Sequence, residues 1–159
     1  MGSRNSRISA IVAFVAITAC TAVEKSPSSD TAFANLQERG KMAMGVDQYT
    51  STHHFEATGD GGRIELQRDT ADSIGIVQIR AHMKLIQHSF QAGDFSTPAF
   101  VHMRDMPGTA VMKAKKDLIT YTYADMPHGG EVRITTKDPE ALAAIKQFMD
   151  AQLMDHHAQ

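Results

Sequence analysis

Tryptophan is absent from this 159-residue chain, and cysteine occurs once, at position 20. A lone cysteine excludes an internal disulfide framework and a thiolate cluster, whatever the redox state of the compartment. Stability must then come from an ordinary apolar core. A metal site would have to draw on histidine, methionine, carboxylate or backbone ligands. Positive charge is not in excess either: the formal net charge is −2, which argues against nucleic acid as a partner. Nucleophile-elbow, P-loop and dinucleotide fingerprints are missing. Long apolar runs are missing too, because the longest, ISAIVAFVAITA at residues 8–19, is too short to span a bilayer. Against these absences stand eight histidines and ten methionines.

The N-terminus reads in three parts. Residues 2–7 (GSRNSR) carry Arg4 and Arg7 without an acid, the run 8–19 has the length of a signal-peptide core, and ITAC closes it at residues 17–20. This arrangement resembles the signal and lipobox of bacterial lipoproteins. The resemblance implies that Ile17, Thr18 and Ala19 guide cleavage and that Cys20 becomes the acylated first residue. MGSRNS also fits the N-myristoylation spacing, but that reading leaves the apolar run and its closing cysteine unexplained. Processing would remove both N-terminal arginines and leave fourteen basic against eighteen acidic residues. Thr21, rather than Asp, follows the cysteine, and by the lipoprotein sorting rule this points in a Gram-negative cell to the outer membrane, facing the periplasm.

Residues 20–44 are expected to form the lipidated cysteine and a small, polar tether, with a short helix over 33–44 closed by Gly45. Residues 45–157 are expected to form one α+β domain, long enough for a single core. Within it, residues 53–88 align with 121–156 at a constant offset of 68. Gly61-Gly62 falls on Gly129-Gly130, Phe55 on Tyr123, Ile64 on Val132, Leu66 on Ile134 and His88 on His156. Each copy reads as strand, glycine turn, strand and helix, with an Asp cap opening each helix. The expected fold is a duplicated ββα unit: repeat 1 at about 46–92, a linker at 93–116, and repeat 2 at about 117–157. Two such units predict a four-stranded antiparallel sheet with two long helices packed on one face. The linker is long enough to hold structure of its own, with a helix predicted around 109–116.

Strand alternation sends His53 inward with Phe55 and His54 outward to the open side of the sheet. On the first long helix, Ile79, Met83, Ile86 and Phe90 form one apolar stripe and Ile74, Val77, Ala81 and Leu85 another. His82 falls between them. His102 lies in the linker beside Met103, with Asp94 nearby. His53, His82 and His102 are therefore candidates to converge on a transition metal, copper or zinc, with His54, Asp94 and Met103 as further candidate ligands. Imidazole suits both metals, and an added thioether shifts preference toward Cu(I). The bland alternative keeps the inward histidines neutral and hydrogen-bonded in the core. His156 and His157 are expected to be solvated at a frayed end.

The segments THHF, GGRIEL, IRAH, GDFSTPAFVH, ITYTY and GGEVRI resemble, taken together, a family of small exported bacterial proteins without an assigned activity. The resemblance covers nearly all of residues 45–155. It implies that His53, His54, His82, Asp94 and His102 belong to the family's pattern. Lys146 stands where that pattern has a histidine, which removes the last helix from the implied ligand set.

Three functions compete at this stage. One is a metal-binding lipoprotein held at the membrane by its lipid. The second is a non-catalytic envelope module docking a protein or cell-wall partner through the open sheet face, which carries Glu56, Arg63, Glu65 and Gln67. The third is an acid–base enzyme built on Asp94 and His102.

Overall fold

The computed structural model describes residues 29–156; the signal, the lipobox and Cys20 lie outside them. The chain forms α1 (Ser29–Met44), β1 (Ser51–Thr58), β2 (Gly61–Arg68), α2 (Ser73–Gln91), α3 (Ser96–His102), α4 (Thr109–Ala114), β3 (Ile119–Met126), β4 (Gly129–Thr136) and α5 (Pro139–His156). It is an α+β fold whose four strands form one antiparallel sheet in the order β1-β2-β4-β3. No helix among the described residues is long and apolar enough to cross a membrane.

The strands follow from period-two patterning. In β4, Val132 and Ile134 are wholly buried, while the alternate residues Glu131, Arg133 and Thr135 are half-buried. In β2, Ile64 and Leu66 play the same part. The two hairpins share one register. Ser51 pairs with Arg68 and Ile119 pairs with Thr136, so both partners shift by 68 residues.

The glycine pairs are not the turn residues, which corrects the sequence reading. Gly61, Gly62, Gly129 and Gly130 open β2 and β4, and the two-residue loops fall at Gly59-Asp60 and Pro127-His128. Glycine is needed there because the two central strands approach closely. A Cβ at Gly61 would collide with the Ile134 carbonyl oxygen, and one at Gly129 with that of Leu66.

Both long helices open as their sequences predict. The Asp72 carboxylate accepts from the Ile74 and Gly75 amides, and Asp138 accepts from Ala141. The predicted core stripe of α2 is correct: Ile79, Met83, Ile86 and Phe90 are buried. The second stripe is not a packing stripe, since Ile74, Val77 and Leu85 are well exposed. α2 lies mainly against β3 and β4, whereas α5 lies mainly against β1. Each long helix therefore packs chiefly on the hairpin that does not precede it. α2 also closes the outer edge of β3: Gln87 donates to the Tyr121 carbonyl, and Gln91 donates to Ile119 and accepts from the Tyr121 amide. Satisfying an edge strand in this way blocks further strand pairing.

α1 starts at Ser29, earlier than the predicted residue 33, and it is closed by Gly45 at φ 76°. It is part of the packed structure. Leu36 and Met44 are buried, and the Arg39 Nε donates to the Val101 carbonyl at 2.6 Å. The long connection holds two helices, α3 and α4, where one was predicted. Its buried residues Val101, Met106 and Met112 explain why so long a segment stays ordered.

Candidate functional site

One cavity of about 70 Å³ lies where β1, α1, α2, α3 and α5 meet. Strand alternation turns His53 toward it along with Phe55, and their rings stack at 5.5 Å with planes 5° apart. His82 reaches it from α2, one residue before the core methionine Met83. His102, the last residue of α3, enters from the connection. His53, His82 and His102 thus line a common cavity.

A fourth imidazole joins them. His156, expected to be solvated, is half-buried at the end of α5. Its ring centroid lies 5.0 Å from His53 and 5.1 Å from His102. The sequence carried a signal for this residue. Phe148, Gln152 and His156 recur at a helical spacing of four, so burial of Phe148 brings the other two to the same side.

Burial disfavours the charged form of three of these rings. Burial, with the nearby His82 and His102 rings adding to it, brings the His53 pKa down to about 3. Burial brings His82 down to about 4, opposed by the Ala43 carbonyl of α1, which accepts a hydrogen bond from the ring. His102 is lowered as well, because burial outweighs the opposing pull of Asp155 and Gln152.

His102 is the most constrained of the four. Its Nδ1 lies 2.7 Å from Asp155 Oδ2, and its Nε2 lies 3.0 Å from the Gln152 side-chain amide. Both partner atoms, Asp155 Oδ2 and Gln152 Oε1, are acceptors, so the neutral ring donates its single N–H to one of them and only the protonated ring satisfies both. Arg104 grips the same Asp155 oxygen at 2.6 Å through Nη2. A carboxylate on one ring nitrogen is the usual support of a metal-ligating histidine, although Nε2 of His102 would have to leave Gln152 Oε1 to ligate. It is also how a general base is oriented.

The remaining candidates do not reach the cavity, and each is a correction. His54 alternates to the other side of β1 from His53 and Phe55. Asp94 is exposed and accepts from the Ser96 amide at 2.9 Å, a local turn contact, so it is not the partner of His102. Met103 is 70% exposed at the left-handed end of α3. Two other methionines line the cavity in its place, Met44 from α1 and Met83 from α2, both buried. Among the described residues, no Asp, Glu, Lys, Arg or Cys side chain lines the cavity. Among the described residues, no group of three or more His, Cys, Asp or Glu side chains is preassembled around a metal position.

The open side of the sheet is polar and largely self-satisfied. Arg63 pairs with Glu56 at 2.7 Å and Glu65 at 2.8 Å, and Arg133 bonds Thr58 and Asp60.

No protein-family model, no curated protein and no solved structure matches the chain.

Proposed function

We propose that this chain is a lipid-anchored cell-envelope protein that holds a transition-metal ion, copper or zinc, in its histidine cavity. The observation that carries the reading is the meeting of His53, His82 and His102 on one cavity wall, with His156 beside them. Neutral imidazoles are the form that ligates, and burial keeps His53 and His82 neutral across the physiological range. Asp155 bonds one nitrogen of His102 as an outer support would, and Nε2 would exchange its Gln152 Oε1 contact for the ion. Among the described residues no three such side chains stand close enough to hold an ion, so binding would require the rings to move inward.

The anchor is part of the same proposal. The signal-like run ending at Cys20 ties the chain to a membrane, in a Gram-negative cell the outer membrane facing the periplasm. We further infer that the fold is a duplicated ββα unit with both long helices on one face of the sheet. The shared offset of 68 in the two hairpin registers supports this. Docking of a protein or cell-wall partner through the open sheet face is the second reading. It draws less support, because Arg63 and Arg133 already find partners on that face.

The test is thermal. Copper or zinc added to the metal-free protein should raise its melting temperature, since a ligand that binds only the folded state stabilises it by mass action. His82→Ala should abolish the rise, whereas His54→Ala, outside the cavity, should keep it. An unchanged melting temperature with both metals would overturn the metal reading.

A further inference from the structure

We infer that the cavity selects monovalent copper over divalent ions, with the thioethers of Met44 and Met83 as ligands beside the imidazoles. This rests on the metal-binding reading and adds to it an ion, a charge and two ligands. The first support is charge. The cavity wall carries imidazole, thioether, amide, hydroxyl and hydrocarbon groups and, among the described residues, no carboxylate or thiolate. Asp155, the carboxylate bonded to the cavity residue His102, is shared with Arg104. The cost of taking an ion out of water grows as the square of its charge, so an uncompensated divalent ion is far harder to bury here than a monovalent one.

The second support is the donor set. Met44 is 7% exposed and Met83 2%, and both line the cavity together with all four histidines. Thioether sulfur favours Cu(I), which is soft, whereas zinc draws on imidazole, thiolate and carboxylate donors and would leave the two thioethers unused. Met44 is the last residue of α1, which makes that helix a supplier of ligands as well as a cover.

The experiment uses the full chain in detergent, titrated anaerobically with Cu(I) in ascorbate against a chromogenic Cu(I) competitor. Ag(I) serves as a redox-inert stand-in, and Zn(II) is run in parallel. Cu(I) and Ag(I) should bind in a one-to-one complex and Zn(II) more weakly. Ag(I) should shift the ε-methyl NMR signals of Met44 and Met83 and leave those of the exposed Met103 and Met154 unmoved. Met83→Leu, which preserves core volume, should weaken Cu(I) binding by more than the roughly tenfold cost of losing an outer support, with Zn(II) binding unchanged. Met44→Leu should do the same. Zn(II) binding as tight as Cu(I), or methyl shifts confined to Met103 and Met154, would overturn the choice of ion while leaving a metal site standing. Absence of binding by all three ions would overturn the metal reading itself.

Discussion

His102 and Asp155 meet at 2.7 Å across 53 residues of sequence, joining the end of α3 to the end of α5. Asp155 raises the basicity of His102 against the depression imposed by burial. Asp155→Asn removes that charge but keeps a hydrogen-bond acceptor, so His102 should titrate at a lower pH than in the parent. An NMR titration of the His102 ring protons reads this directly. An unchanged or higher titration point would mean that the carboxylate does not govern the ring. In a metal-loaded sample the same change should weaken affinity by about ten- to a hundredfold, the usual cost of losing an outer support.

Stability should fall on acidification. His53 and His82 have folded-state pKa values of about 3 and about 4, below their ordinary value of 6.5. Below pH 6.5 the unfolded chain therefore binds more protons than the folded one. The contribution of these rings is complete above pH 6.5 and is lost progressively as pH drops toward 4 and then 3. The slope reaches at most about 1.4 kcal/mol per pH unit for each ring, less where water reaches it. Urea unfolding of metal-free protein at pH 7.5, 6 and 5 measures the slope. His53→Leu should flatten it, and an equally steep decline in that variant would remove His53 from the account.

Much of this arrangement was legible in the residues, and the reasons for the gaps are physical. Alternation in THHF and RIEL correctly separated His53 and Phe55 from His54, and the 3.6-residue period found the buried stripe of α2. What failed was the reading of local patterns as local structure. Gly61 and Gly129 looked like turn residues because glycine suits turns, yet they are needed for backbone approach between strands far apart in sequence. Asp94 looked like the partner of His102 because it is near in sequence. The actual partner comes from α5, a contact that only the packed fold creates. His156 was discounted as terminal, although its spacing from Phe148 already pointed to the same side of α5.

The proposed membrane anchor rests on one residue, Cys20, and can be tested through it. Cys20→Ala should leave an uncleaved or mislocalised precursor, seen as altered electrophoretic mobility and loss from the membrane fraction. A metabolic label of palmitate should mark the parent and not the variant. Normal fractionation and unchanged mobility of Cys20→Ala would refute lipidation, while leaving the histidine cavity untouched.

The glycine at the start of each central strand yields a stability prediction that separates close approach from turn chemistry. A methyl at Gly61 or Gly129 meets a backbone carbonyl oxygen of the neighbouring central strand, and neither backbone can yield without breaking the β2–β4 ladder. Gly61→Ala and Gly129→Ala should each cost about 2–4 kcal/mol, in the range of severe steric defects. Gly59, in the loop itself, has open space where a Cβ would go and no positive φ. Gly59→Ala should therefore be neutral or slightly stabilising, because it removes freedom only from the unfolded chain. Denaturant midpoints for the three variants decide the matter. If Gly59→Ala proves the most damaging of the three, the glycine pairs act through the turns after all, and the close approach of β2 to β4 is not what requires them.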